Sequence, residues 1–257
     1  MKLALVALVS LCGCDALFDL HRIEITTGSN TPDAPMIYLD APADAANCGM
    51  HDEDSDGLFD KCDPCPTVSD VGDMDMDQDG IGDTCDPDQG PQNTIDAFYS
   101  FQNGVGVSGT GDTYPNDTLR LAAGGNVVTV KTFTNPEVID VTIVSLNAGN
   151  AAQIIANAGG NPTMTCEVSS SCGSSPTCVT LTSNGTSQVV ALSFAVTELS
   201  SLILDRTDAG NVRCSVNDHL ASHTASKSAG TIPSGKIELS SIGGAATFAN
   251  AIVYTLQ

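Results

Sequence analysis

One acidic phrase occurs twice in this chain, as Asp52-Glu-Asp54-Ser-Asp56-Gly57-Leu58-Phe-Asp60-Lys-Cys62-Asp63 and as Asp75-Met-Asp77-Gln-Asp79-Gly80-Ile81-Gly-Asp83-Thr-Cys85-Asp86. Both copies read D-x-D-x-D-G-x-x-D-x-C-D, and carboxylates so crowded repel one another unless a hard cation lies among them. A calcium ion takes six to eight oxygen ligands at about 2.3–2.6 Å, from alternate carboxylates and a backbone carbonyl around a sharp turn. Asp52, Asp54, Asp56, the carbonyl of Leu58, Asp60 and Asp63 are the expected ligands of the first copy. Asp75, Asp77, Asp79, the carbonyl of Ile81, Asp83 and Asp86 take the same roles in the second. Gly57 and Gly80 stand where the turn favours a residue without a β-carbon. The pattern departs from an EF-hand: position twelve is Asp rather than Glu, and Cys-Pro loops replace the flanking helices. A solvated acidic tract is the plain alternative, but glycine and cysteine recurring in register argue against it.

These loops, with the Cys62-Asp63-Pro64-Cys65-Pro66 junction and the Cys85-Asp86-Pro87 ending, resemble thrombospondin type 3 repeats over residues 48–88. The resemblance implies a string with little regular secondary structure, wrapped around calcium and stapled by disulfides. After the junction the chain departs from that family. Thr67-Val-Ser-Asp-Val-Gly72 stands where Asn and Gln are usual, so no further calcium site is assigned there.

Lys2 followed by the apolar run Leu3 to Leu11 reads as a secretory signal, because nine residues are too few to cross a hydrocarbon core of about 30 Å. Leu11-Cys12-Gly13-Cys14 resembles the lipobox of bacterial lipoproteins, which implies cleavage before Cys14 and a lipid on it as the only membrane anchor. An ordinary signal peptide with a free secreted product is the alternative. The expected place is the cell envelope, with the outer membrane or cell surface favoured. Beyond Cys12 and Cys14 the cysteines are Cys48, Cys62, Cys65, Cys85, Cys166, Cys172, Cys178 and Cys214. An even set in an exported chain reads as disulfides. Cys48–Cys62 with Cys65–Cys85 is preferred in the repeats, since each bridge closes a loop around one acidic phrase. Zinc at Cys62-x-x-Cys65 is disfavoured by the neighbouring carboxylates and the lack of a second C-x-x-C.

Charge and composition divide the chain at the same places. Residues 44–88 hold 15 of the 31 acidic side chains against the single base Lys61, whereas residues 91–257 hold 11 acids and 6 bases. With a pI near 4.1 and no basic patch, nucleic acid is not an expected partner. The expected organisation is a signal peptide over 1–13, a Pro/Asp/Ala-rich tether over 14–47, calcium repeats over 48–90 and a β domain over 94–257. In the last part, runs rich in Val, Ile, Thr and Phe recur between Gly, Asn and Ser clusters, and helical periodicity is nearly absent. The expected strands are Thr118–Ala123, Asn126–Phe133, Val138–Leu146, Ala151–Ala156, Thr163–Val168, Cys178–Thr182, Gln188–Val196, Ser201–Arg206, Val212–Val216, Lys236–Ile242 and Thr247–Leu256. That number in one unit predicts an all-β, two-sheet antiparallel sandwich.

The phrases Leu119-Arg-Leu121, Val138-Ile-Asp-Val-Thr-Ile143, Leu202-Ile-Leu-Asp-Arg206, Asn211-Val-Arg-Cys-Ser-Val216 and the close from Gly235 to Tyr254 resemble the concanavalin A-like, or laminin G-like, jelly-roll superfamily. That resemblance implies sugar binding, protein binding or glycoside hydrolysis. Hydrolysis needs two facing carboxyls; the Glu-x-Asp-x-x-Glu strand of that family's hydrolases is missing, and Asp205 with Asp208 is the nearest acidic pair. The expectation is therefore not an enzyme. A calcium-dependent, surface-anchored lipoprotein for adhesion, binding a cell-surface or matrix polysaccharide or protein, is the leading reading. A carbohydrate-active enzyme and a purely structural spacer are the rivals.

Overall fold

Apolar and polar residues that alternate along a strand point to opposite faces, so a strand with one apolar face seeks a second sheet to cover it. The computed structural model describes residues 48–69, 72, 74–87, 93–193, 196, 200–206, 210–217, 222–227 and 230–256. The leader, Cys14 and the tether over 14–47 lie outside the described residues. The strands are β1 (Asn93–Tyr99), β2 (Val107–Thr113), β3 (Leu119–Thr129), β4 (Pro136–Leu146), β5 (Ala151–Ala156), β6 (Met164–Ser169), β7 (Thr177–Ser183), β8 (Thr186–Leu192), β9 (Ser200–Arg206), β10 (Val212–Asn217), β11 (Ser222–Lys227), β12 (Ile237–Ile242) and β13 (Ala246–Leu256). Every pairing between them is antiparallel.

The ladder folds over itself into two layers. One sheet runs β11-β10-β9-β4-β13 with β1 on the far side of β13, and the other runs β2-β3-β12-β5-β6-β7-β8. Strand β3 belongs to both, because Leu119–Leu121 pairs with β13 while Asn126–Val128 pairs with β12. The bend between those halves falls where Gly124 takes φ +71° beside a bulge in β2 at Gly111, φ +72°. Only glycine adopts such angles cheaply. The facing layers bury Ile139, Val141 and Ile143 of β4 and Leu202 and Leu204 of β9 against Ile154 of β5, Val168 of β6 and Leu181 of β7. The Cys166–Cys214 disulfide pins β6 to β10 through that core, and Cys172–Cys178 closes the β6–β7 turn. This is the expected all-β antiparallel sandwich.

Three strands escape the sequence expectation, β1, β2 and β11, and two expected strands, Thr118–Ala123 and Asn126–Phe133, are one bent strand. The first group lies at sheet edges and is carried by the ladder more than by burial: β2 is exposed at most positions and β1 is bulged between Ile95 and Ala97.

Between Cys48 and Pro87 the described residues form turns and bends, with no helix or strand. Cys48–Cys62 and Cys65–Cys85 are the disulfides there, each closing around one acidic phrase. This segment lies against the sandwich. Ile81 joins Val138, Ile252 and Tyr254 in an apolar cluster on the outer face of the first sheet, separate from the main core.

Candidate functional site

The two acidic loops share the same turn geometry at positions one, four, six and nine. Position four is left-handed in both (Ser55 and Gln78, φ 64°), and position six is a glycine at φ +98° (Gly57) or +94° (Gly80). Position one accepts backbone N–H groups from across the turn: Asp52 from Asp56 (3.2 Å) and Gly57 (3.0 Å), Asp75 from Asp79 (3.2 Å) and Gly80 (2.9 Å). Position nine closes each loop from below, Asp60 accepting from Glu53 N–H and Asp83 from Met76 N–H, both at 2.9 Å. His51 also meets Asp60, Nδ1 to Oδ2 at 2.7 Å.

The result is two carboxylate clusters. In Asp52, Asp54 and Asp56, and again in Asp75, Asp77 and Asp79, one oxygen per residue lies within 4.8 Å of the others. Asp54 Oδ2 and Asp77 Oδ2 are hidden from solvent and have no hydrogen-bond partner. Desolvation first, then repulsion from the neighbouring Asp side chains, pushes the carboxyls of Asp54 and Asp77 above their ordinary range. A hard cation at either cluster would satisfy the orphaned oxygen and reverse that shift. Of the expected ligands, Asp60 and Asp83 lie outside the clusters and act as loop clasps. Asp63 accepts from the Cys65 N–H (2.7 Å) and Asp86 from Asn93 Nδ2 (3.5 Å), and Leu58 and Ile81 stand at position seven of their loops.

A second arrangement, not anticipated from sequence, crosses the outer face of the second sheet. Register places Thr110, Asn126, Ser240, Gln153, Glu167 and Thr180 side by side on β2, β3, β12, β5, β6 and β7. Five strand gaps at about 4.8 Å make this row about 24 Å long. Its side chains are linked: Thr110 Oγ1 donates to Asn126 Oδ1 (2.9 Å), Ser240 Oγ to Gln153 Oε1 (2.9 Å), and Gln153 Nε2 to Glu167 Oε2 (2.5 Å). Ser169 Oγ donates to the other oxygen of Glu167 at 2.6 Å. Both carboxylate oxygens of Glu167 are thus fixed in the middle of a sheet, and no described ion pair includes it. Glu238 projects from the same face of β12, opposite Ile155 of β5. Two strand gaps and one two-residue step put its Cα about 12 Å from that of Glu167. Alternation alone could have turned Gln153 and Glu167 outward, but the alignment of the row depends on registers that only the folded chain reveals.

Asp205 belongs to neither arrangement. It lies on β9 with its Oδ2 held by the guanidinium of Arg213, and Asp208 lies outside the described residues.

No protein-family model and no curated protein matches this sequence. Among solved structures the chain is similar to a Bacillus licheniformis β-glucanase at 17% identity and a TM-score of 0.46, over 63% of this chain and 98% of that one. It is similar to an endo-β-1,3-glucanase from Pyrococcus furiosus at 13% identity and a TM-score of 0.49, over 65% and 96% of the two chains. It is also similar to the lectin UEA-II, solved with galactose, at 9% identity and a TM-score of 0.49, over 63% and 100%. The likeness is one of fold, and it corrects the expectation that the chain is not an enzyme.

Proposed function

We propose that this chain is an envelope-anchored, calcium-stabilised module that takes a polysaccharide on the outer face of its second sheet. The observation that carries the reading is the row from Thr110 to Thr180. Sugars present hydroxyls that both donate and accept, and the row offers the same mixture from hydroxyl, amide and carboxylate groups held in register. Val128 and Ile155, partly exposed on either side of Glu238 in the adjoining register row, supply apolar contact for sugar ring faces. The carboxylates on this face that glycoside hydrolysis would draw on are Glu167 and Glu238.

Calcium belongs to the same reading. Asp52, Asp54 and Asp56 with the carbonyl of Leu58 would hold one ion, and Asp75, Asp77 and Asp79 with the carbonyl of Ile81 the other. An ion bound there supplies charge neutralisation, and affinity of about 10⁻⁴–10⁻³ M suffices outside a cell. The orphaned Asp54 and Asp77 oxygens support this, as does the resemblance to thrombospondin type 3 repeats. Lipid on Cys14 would hold the module at the envelope, with adhesion to a glycan-bearing surface as its use.

The test is retention of the protein by a panel of neutral polysaccharides, with release of reducing ends followed in the same samples. Wild type is retained by at least one polymer, and Glu167→Gln weakens that retention at least tenfold. Reducing ends released by wild type and lost in Glu167→Gln assign hydrolysis to the face. Retention that survives both Glu167→Gln and Gln153→Ala would place the sugar elsewhere and overturn the reading.

A further inference from the structure

The two acidic loops are built alike but attached differently. The first meets β13 where Asn250 Nδ2 donates to Glu53 Oε1 at 3.3 Å, and its position-seven residue Leu58 is only half-buried. In the second, the equivalent Ile81 is 2% exposed. It packs with Val138 of β4 and with Ile252 and Tyr254 of β13, and Ile95, Phe98 and Ile203 close around them. Asp79, a member of the second carboxylate cluster, accepts the Ile81 N–H on Oδ1 (2.9 Å) and the N–H of Asn93, the first residue of β1, on Oδ2 (2.6 Å). The Tyr254 hydroxyl donates to the Cys85 carbonyl at 3.5 Å. One carboxylate therefore belongs to the candidate ion site, to the residue that plugs the sheet face, and to the start of an edge strand.

We propose that cation binding at the second loop, and not at the first, controls whether residues 79–86 cover the outer face of the first sheet. This rests on the calcium reading above. Without an ion, Asp75, Asp77 and Asp79 repel one another, and the group they displace is the one that anchors both Ile81 and Asn93. Opening uncovers the apolar surface of Val138, Ile252 and Tyr254, and the Cys65–Cys85 disulfide keeps the segment tethered for reclosure. The first loop opens without disturbing that surface, because neither its cluster nor its position-seven side chain is part of it.

The experiment uses the full chain, with Ca2+ uptake measured by calorimetry and amide hydrogen exchange read over residues 79–86 and 93–99. Chelation is expected to speed exchange in both stretches at least tenfold. At saturating Ca2+, Asp77→Ala loses one site and shows the same speeding; Asp54→Ala loses one site and leaves these amides as slow as in wild type. Ile81→Ala keeps both sites and loosens the same amides. Two sites in wild type with Asp77→Ala protected like wild type, or equal loosening by Asp54→Ala, would overturn the coupling and leave the calcium reading intact. No Ca2+ uptake by wild type would remove the calcium reading and this inference with it.

Discussion

Asp140 stands on β4 between Ile252 of β13 and Ile203 of β9, on the same outer face that Ile81 covers. Its Oδ1 is hidden and unpartnered, and burial raises its carboxyl to about 7 despite stabilising hydrogen bonds from Ser201 and the Val141 N–H. An unfolded Asp titrates near 3.9. Between those values the folded chain binds the extra proton, so stability from this group is full below pH 4 and falls as pH rises toward 7. Asp140→Asn is expected to flatten that dependence and to stabilise the protein at pH 8 by on the order of 2 kcal/mol, read from melting at several pH values. An unchanged pH profile would remove Asp140 from the account. The loop glycines make a second prediction at this scale. A β-carbon on Gly57 or Gly80 meets nothing within 4 Å, so Gly→Ala there tests backbone strain alone. Each substitution should cost about 1–2 kcal/mol in calcium-loaded protein, by denaturant titration.

At the scale of elements, the position-seven residues separate the two loops. Ile81→Ala empties a filled site on the sheet and is expected to cost about 2–4 kcal/mol, against less than about 1 kcal/mol for Leu58→Ala, in parallel urea unfolding. How far such elements could be read from sequence follows from where their stabilisation resides. Strands with one buried face, such as β4, β5 and β9, carry their alternation in the sequence and emerge within a residue or two of expectation. Strand β11, Ser-His-Thr-Ala-Ser-Lys, carries no such signal, since its neighbour β10 recruits it through the ladder. Gly124-Gly125 reads as a break, and β3 does bend there, its ladder to β2 lapsing between Leu121, opposite Asp112, and Asn126, opposite Thr110, and holding on either side. The Asp clusters were legible because all three members of each sit within five residues. The row through Glu167 was not, because its members come from six strands spread between Thr110 and Ser240.

For the whole molecule, the two sheets are held by their shared apolar core and by one cross-core covalent link. Removing that link with Cys166→Ala/Cys214→Ala frees a loop of sequence separation 48 and is expected to cost about 2–4 kcal/mol in denaturant unfolding. The sandwich then has two unlike outer faces. The first sheet's carries the Val138, Ile252 and Tyr254 cluster beside Asp140 and is covered by the chain's own acidic segment; the second sheet's is polar and carries Glu167. The measurement that tests this division most directly is amide exchange across the full, calcium-loaded chain with and without an oligosaccharide from a polymer that retains it. Protection gathered on β5, β6 and β12 of the second sheet is the predicted result. Protection on β4, β9 or β13 alone, with the Glu167 row unchanged, would contradict the account.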